Sequence, residues 1–428
     1  MKKYAYIVVA ATYLLAGGCT DNTDDPKNPK PVICPIELGE LQRPTYDFAD
    51  ARTLQEVAPD NVGRANGFAT DLFRTLYKAK PGNICVSPAS VFCTFAMMAN
   101  GDDGECRDEI LNMLGYSNGA DALHDLNVYA NALLRETSQF DGATQCGFTN
   151  SIWHRPGVNI FQDFATDIEG IFGGMIFPTW LGDKQGMEAI NKFIYDQTCG
   201  MIYPFLENPL EVDLAFLNTT YFKGAWETAF VKERTKDMDF HNIDGSKTKN
   251  PFMKTLENIF DYAETEGIRC LRLPYKGNRY SLTIFQPLNG TKKEFTKMLE
   301  AFDFETLERY EKSMQRQAFI LMMPKFETAI NEDILASLKK MGIDKTCSQG
   351  LDKVSDMPLV LALFQHAARI IVDEEGTEGG AASLGGTFAT SGPEYNRPTE
   401  VKIDSPFIYM IRDTQSGTVL FMGAITDF

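Results

Sequence analysis

The segment Asp373-Glu374-Glu375-Gly376-Thr377-Glu378-Gly379-Gly380-Ala381-Ala382-Ser383 decides how the rest of the chain is interpreted. The β-branched residues 370–372 lead into it, and a polar run that contains prolines follows it as far as Pro398. At the two-residue period of a β-strand, one face of the segment carries only small, uncharged side chains. These are Thr377, Gly379, Ala381, Ser383, Gly385 and Thr387. Such a face could enter a sheet between two existing strands without steric clash.

Composition alone also allows this segment to be a flexible Gly/Ala/Ser linker. Each glycine weakens a strand by roughly 0.5–1 kcal/mol relative to alanine, so the segment favours an exposed loop until insertion into a sheet stabilises it. The opposite face begins with Glu378, whose carboxylate favours water. The choice between a linker and a strand held in reserve therefore depends on the rest of the chain.

The composition excludes several functional classes. The 428 residues carry a formal net charge of −17, which argues against a nucleic-acid-binding surface because that needs a basic stripe. The nine cysteines and four histidines contain no CxxC and no HExxH pattern, and the chain has no GxSxG nucleophile motif. We therefore predict no metal, no cofactor, no structural disulfide and no enzymatic activity. Hydrophobic residues make up 44% of the chain, which is ample for a large core.

Residues 1–18 are predicted to be an export signal. Met1-Lys2-Lys3 is positively charged, and the apolar run at residues 4–15 is too short to anchor a protein across a bilayer. The run ends in Leu14-Leu15-Ala16-Gly17-Gly18-Cys19, which resembles a bacterial lipoprotein cleavage box with Ala16 where leucine is usual. We expect Cys19 to be the acylated mature amino terminus. The alternative is an ordinary secretory signal with an incidental cysteine.

Residues 19–44 are predicted to be a disordered tether after the lipidated cysteine, because they are rich in Asp, Asn, Lys and Pro. The acidic residues just after Cys19 resemble the surface-export signal of some Gram-negative lipoproteins. We therefore expect an exported protein that a lipid anchor alone holds on a bacterial membrane, at the outer membrane or the cell surface.

Residues 45–428 are predicted to form one α+β domain. Apolar residues at helical spacing indicate a helix at residues 61–79, and Ser87-Pro88 has the composition of a helix start. After about residue 200 the chain is rich in β-branched and aromatic residues separated by turns, with predicted strands at 214–222 and 318–327 among others. Helices in the first half and strands in the second indicate helices packed on large mixed or antiparallel sheets.

Five segments, in this order along residues 45–428, resemble the serpin family of serine-protease inhibitors. They are Asn83-Ile84-Cys85-Val86-Ser87-Pro88-Ala89-Ser90, Ile190-Asn191-Lys192-Phe193 with Thr198-Cys199-Gly200, Leu217-Asn218-Thr219-Thr220-Tyr221-Phe222-Lys223-Gly224-Ala225-Trp226, Met323-Pro324-Lys325-Phe326, and Ser405-Pro406-Phe407-Ile408-Tyr409-Met410 with Gly417-Thr418-Val419. The resemblance implies a single serpin-like domain with helices packed on three β-sheets and an exposed carboxy-terminal reactive loop. It also implies a monomer whose partner is a target protease of the serine or the cysteine class.

The resemblance assigns roles to three groups of residues. The "shutter", a polar cluster under the sheet where strands must part, comprises Ser87, Ser90, Asn218 and His366. The "breach", where the loop first enters, comprises Trp226, Lys325 and Glu374, and we expect Lys325 to pair with Glu374 as a partly exposed ion pair worth about 0–1 kcal/mol. The "hinge" comprises Glu374, Glu375, Gly376, Thr377, Glu378, Gly379, Gly380, Ala381 and Ala382.

The same resemblance gives two candidates for the bond that a protease attacks. Family inhibitors place this bond after the fourteenth residue counted from the hinge threonine, which here gives Thr390-Ser391. Counting back from Glu400-Val401-Lys402 gives Tyr395-Asn396 instead, so the loop carries an insertion of five residues, or about 16 Å of extended chain. We favour Thr390-Ser391, because the longer loop would leave the protease free to finish hydrolysis. The small residues there predict an elastase-like or broad-specificity target.

A second function stays open within the family. A non-inhibitory serpin would act as a binding or substrate-like module, and a charged or bulky hinge face would favour it. This hinge face is small and uncharged, which favours an inhibitor. However, Gly379 and Gly380 stand where alanine is usual, and their greater loss of entropy on ordering predicts slower insertion and more simple cleavage.

Overall fold

The computed structural model describes residues 44–117, 119–137, 144–377 and 399–428. Several positions that the sequence singles out lie outside these ranges. They are Cys19, Glu378, Gly379, Gly380, Ala381, Ala382, Thr390, Ser391, Tyr395 and Asn396. Their roles therefore stay predictions.

The described chain has the predicted α+β architecture, with most of its helical residues in the first half. The helices are α1 (Leu54–Ala79), α2 (Pro88–Asn100), α3 (Gly104–Met113), α4 (Ala122–Thr137), α5 (Gln162–Phe172), α6 (Lys184–Gln197), α7 (Lys292–Glu300), α8 (Phe304–Ser313) and α9 (Leu335–Lys339). The strands are β1 (Ile84–Val86), β2 (Thr144–His154), β3 (Met175–Pro178), β4 (Leu214–Ala225), β5 (Lys236–His241), β6 (Lys247–Lys254), β7 (Asn258–Thr265), β8 (Ile268–Pro274), β9 (Tyr280–Pro287), β10 (Gln315–Pro324), β11 (Phe326–Asp333), β12 (Gln365–Val372), β13 (Gly376–Thr377), β14 (Glu400–Lys402), β15 (Phe407–Asp413) and β16 (Val419–Ile425).

Helix α1 begins at Leu54, so the prediction that it starts at residue 61 was wrong. The Thr53 hydroxyl accepts a hydrogen bond from the Glu56 N–H, and the Glu56 carboxylate accepts one from the Thr53 N–H at 2.8 Å. This reciprocal capping box starts the helix before its apolar periodicity becomes regular. The periodicity alone therefore placed the start too late.

A six-stranded sheet contains the candidate site. Its order is β11-β12-β13-β4-β2-β3. β11 pairs with the whole of β12, and β2 pairs with nearly the whole of β4. Between β4 and β12, the only described residues that pair with either strand are Gly376 and Thr377. From Phe222 back to the start of β4, and from Ile371 back to the start of β12, the facing edges of these strands have no partner strand among the described residues.

The second sheet has ten strands. Nine follow the order β1-β16-β15-β9-β8-β7-β10-β6-β5, and the tenth, β14, pairs in parallel with β10. β10 pairs with β7 in its first half and with β6 and β14 in its second half. β10 therefore joins two parts of this sheet, one that contains β7 and one that contains β6 and β14. These two parts are the second and third of the three expected sheets.

The single strand predicted at residues 318–327 is two strands in different sheets. β10 ends at Pro324, β11 begins at Phe326, and Lys325 lies at the crossover. The Lys325 N–H donates to the Pro251 carbonyl at 2.8 Å, and its carbonyl accepts from the Asn250 side chain at 2.8 Å. Strand-like composition continues across the crossover, which is why the pattern does not reveal it.

Two apolar clusters cover the two faces of the six-stranded sheet. The main core lies between the sheets and includes α2, of which every residue is buried. On the other face, Ile190 and Ile194 of α6 pack with Leu217 of β4 and Ala367 of β12. Helix α6 therefore covers the part of the sheet where β4 and β12 face each other.

Among the described residues, all cysteines except Cys347 are buried. The described cysteines are Cys85, Cys93, Cys106, Cys146, Cys199, Cys270 and Cys347. In the part of the chain that the structure describes, no helix is both long and apolar enough to cross a membrane, and no three potential metal ligands are grouped together.

Candidate functional site

The described part of the hinge is held tightly between β4 and β12. Thr377 is fully buried and lies opposite Gly224 on one side and Val372 on the other. A Cβ atom on Gly376 would lie 2.0 Å from the Gly224 carbonyl oxygen. Because no side chain fits at that distance, this position requires glycine, and the backbones of hinge and sheet can approach closely.

Tyr275 fixes the hinge from below and was missed by the sequence analysis. Its hydroxyl lies 2.5 Å from the Thr377 hydroxyl, and its ring stacks on Trp226 with centroids 4.6 Å apart. Burial raises the pKa of Tyr275, so its hydroxyl stays neutral. Trp226 in turn donates from its indole nitrogen to the Asp373 carbonyl at 2.9 Å. No sequence pattern links Tyr275 to Thr377, which lies about a hundred residues further along the chain.

The structure brings the three breach residues together. Lys325 Nζ lies 2.5 Å from Glu374 Oε2, and the Thr235 hydroxyl donates to Glu374 Oε1 at 2.6 Å. Burial acts to raise the pKa of Glu374, but the hydrogen bonds from Lys325 and Thr235 outweigh it, and the net pKa lies below the usual value. The backbone N–H of Trp226 donates to the Glu375 carbonyl at 2.9 Å, which joins the tryptophan to the same segment.

The Lys325–Glu374 pair is less exposed than the sequence suggested. The Glu374 side chain is only 5% exposed, whereas that of Lys325 is 38% exposed. A carboxylate buried to this extent depends on its partners, because hydrogen bonds to charged groups are worth about 1.5–3 kcal/mol. The pair therefore contributes more to holding the hinge than a surface ion pair would.

The four shutter residues lie at the start of α2, within β4 and at the start of β12. The Ser90 hydroxyl donates to the Asn218 side-chain oxygen, and the Ser90 N–H donates to the Ser87 hydroxyl at 3.3 Å. The Ser87 N–H donates to His366 Nε2 at 3.2 Å. Asn150 of β2, which the sequence analysis missed, accepts from the Asn218 amide. One hydrogen-bonded chain thus connects β2, β4, α2 and β12.

His366 is neutral in this network. Its side chain is almost fully buried, and burial lowers its pKa to about 4. The acceptor role of Nε2 toward Ser87 also requires that nitrogen to be unprotonated. Protonation would therefore place a charge in the core and break the link between β12 and α2.

Replacing Lys325 by alanine is expected to lower the free energy of unfolding by about 1.5–3 kcal/mol, because the buried Glu374 carboxylate loses a charged partner. The measurement is urea unfolding of the intact protein. Lys232→Ala is the matched control, because Lys232 is 60% exposed where it pairs with Glu375, and we expect a much smaller loss than for Lys325→Ala. Equal losses in the two variants would show that burial of Glu374 does not strengthen its ion pair.

His366 is expected to make stability fall as the pH drops from 6.5 to about 4, since over this range the unfolded state binds a proton that the folded state excludes. The loss amounts to about 3 kcal/mol at 1.36 kcal/mol per unit of pKa. Above pH 6.5 the imidazole is neutral in both states and contributes no slope. Urea unfolding at several pH values should give a shallower dependence for His366→Asn, and identical slopes for both proteins would contradict the prediction.

Comparisons with known proteins agree with this architecture. The family model described as serpin (serine protease inhibitor) matches residues 64–428. Alpha-1-antiproteinase of Rattus norvegicus is 27% identical over 369 residues, which cover 84% of this chain and 87% of that protein. The leukocyte elastase inhibitor of Sus scrofa is 27% identical over 377 residues, which cover 84% of this chain and 97% of that protein.

Solved structures extend the likeness to the fold. The structure of human thyroxine-binding globulin superimposes with a TM-score of 0.78 at 20% identity, and the match covers 88% of this chain and 99% of that one. The family match spans most of the chain, including both candidate clusters and the described part of the hinge. The chain therefore belongs to the serpin family.

Proposed function

We propose that the protein is a suicide-substrate inhibitor of serine or cysteine proteases. A protease cleaves the loop and forms an acyl-enzyme, and residues 377–390 then insert between β4 and β12 before hydrolysis is complete. The observation that carries the proposal is the hinge, where Gly376 and Thr377 already pair with these two strands. In this mechanism the catalytic groups belong to the target protease.

The register of the hinge supports a specific fit for the loop. Thr377 lies opposite Gly224 of β4 and Val372 of β12. In an antiparallel pair, each later residue of the loop would lie opposite the preceding residue of each partner strand. Continued to residue 383, this register would bring Ser383 opposite Asn218 and His366 at the same time. Both strands thus present a shutter residue to the same loop position, and that position carries a hydroxyl.

The two faces of the loop would meet suitable surroundings in this register. Thr377, Gly379 and Ala381 would share a face with Phe222 and Ile370, which lie in the main core. The small side chains on this face match the large ones beside it. On the other face Glu378 would lie opposite Lys223, whose charge is opposite, at the accessible end of the sheet.

The length of the gap supports cleavage after Thr390. β4 begins at Leu214, which would face residue 387 in the same register. Just beyond it, residues 210–213 and 358–361 line the two sides of one groove. If the register of Thr377 continued along the loop, residues 388–391 would lie opposite residues 213–210 on one side and residues 361–358 on the other. A strand ending at Thr390 would fill the gap, whereas a strand ending at Tyr395 would extend beyond it.

Strand insertion would stabilise the molecule considerably. On the order of ten ladder hydrogen bonds at about 0.5–1.5 kcal/mol each outweigh the ordering cost of the glycines. A native state that lacks these bonds persists because conversion is slow, which is kinetic stability. The tether and Cys19 anchor form part of the same proposal and would hold the inhibitor at a bacterial surface.

The alternative is a non-inhibitory serpin that acts as a binding or substrate-like module. One observation favours it: four glycines, Gly379, Gly380, Gly385 and Gly386, lie in the inserting segment and slow its ordering. Thyroxine-binding globulin, which is named for ligand binding, has the same fold. The two proposals differ in whether cleavage of the loop yields a covalent complex.

A panel of proteases that includes elastase tests the proposal. We expect an SDS-stable complex with elastase and a released carboxy-terminal fragment that begins at Ser391, measured by gel electrophoresis and intact-mass analysis. Thr377→Arg is the control, because an arginine cannot enter the buried position of Thr377. This variant should be cleaved at the same bond without forming a complex. A fragment that begins at Asn396, with no complex for any protease, would contradict the proposal.

A further inference from the structure

A groove with an exposed tryptophan lies at the end of the sheet farthest from the hinge. Trp180 is 58% exposed, whereas Trp153 and Trp226, the other tryptophans of the chain, are 5% and 4% exposed. The groove has a volume of about 460 Å³. Its lining is Arg155, Trp180, Gly182, Asp183, Leu210, Glu211, Val212 and Asp213. A large apolar ring so exposed marks a surface where burial by a partner is favourable.

The backbone around Trp180 holds it in this position. The next residue, Leu181, is buried, and its carbonyl accepts from the Leu210 N–H at 2.9 Å. A Cβ atom on Gly186 would lie 1.9 Å from the Trp180 carbonyl oxygen. Glycine in the first turn of α6 is therefore required for this close approach, although it weakens a helix. These contacts set the backbone position of Trp180 in the turn between β3 and α6.

The charges around the ring favour a cationic partner. Three carboxylates line the groove against one guanidinium, and Arg155 is already paired with Asp213 at 2.6 Å. Asp183 caps α6 by accepting from the Gly186 N–H. Glu211 is exposed and has no hydrogen-bond or ion-pair partner within the described residues. A tryptophan face is the strongest cation–π site among aromatic side chains, so a lysine or arginine fits here better than an anion.

The position of the groove identifies the partner. Residues 210–213 line both this groove and the one between β4 and residues 358–365. If the loop register given above continued, Leu210 and Glu211 would lie opposite residues 391 and 390, where the acyl bond to the protease would be. A protease held there would rest beside Trp180.

We propose that the Trp180 groove binds a basic surface of the trapped protease, with a lysine or arginine side chain over the indole ring beside Glu211. This inference rests on the proposed inhibitory function for its choice of partner. The groove selects among proteases by their surface charge, in addition to the selection that the loop makes at the cleaved bond.

The groove can be tested without any protease. Fluorescence anisotropy of a labelled octalysine peptide measures binding to the full chain. We expect Trp180→Ala and Glu211→Gln each to weaken binding by about fivefold, whereas Glu300→Gln, an exposed carboxylate on α7, should leave it within error. Equal binding by all variants, or an equal loss in Glu300→Gln, would overturn the proposal, because the peptide would then recognise only the net charge of −17.

The lifetime of the covalent complex tests the partner. With a protease that has a basic surface, Trp180→Ala should form the complex at the wild-type rate and release active protease about fivefold faster. An unchanged lifetime would overturn the assignment of the protease as partner. If no protease forms a complex with the wild-type protein, the inhibitory function fails, while the octalysine titration still decides whether the groove binds cations.

Discussion

The facing edges of β4 and β12 are the constraint on which the other features depend. Along both edges, only Gly376 and Thr377 among the described residues supply backbone partners. Backbone N–H and C=O groups that are covered by packing need such partners. Helix α6 covers one face of this region and α2 the other. The sheet is thus built around the place of one strand, and the shutter network lies directly across that place.

The two ends of the loop are fixed to one neighbouring strand. Before the loop, Glu374 is paired with Lys325, immediately after β10. After the loop, Glu400 lies opposite Ile320 within β10 and pairs with Lys254 at 2.7 Å. Both ends of the loop are therefore attached at or beside β10, which also joins the two parts of the ten-stranded sheet. Tyr275 and Trp226 form the contact between the hinge and the main core.

Local patterns predicted the elements whose signals are local. Ser87-Pro88 marked the start of α2, and the fold class and central strands followed from periodicity. The crossover at Lys325 was missed because strand composition continues through it, and the contact between Tyr275 and Thr377 was missed because no spacing rule joins residues so distant in the chain. The shutter residues came from the family resemblance, and their hydrogen bonds depend on four elements, α2, β2, β4 and β12, meeting in space. The Trp180 groove is a product of chain packing around Gly186, which the sequence does not reveal.

The central claim is that residues 377–390 form a strand of the six-stranded sheet that begins at the paired Thr377 and is completed only after cleavage. Thermal unfolding of the intact protein and of protein whose loop has been cut by a protease that forms no covalent complex, followed by circular dichroism, tests this claim most directly. Insertion should raise the melting temperature by more than about 10 °C, since on the order of ten new ladder hydrogen bonds form. An unchanged or lower melting temperature after cleavage would contradict the claim and identify the segment as a linker.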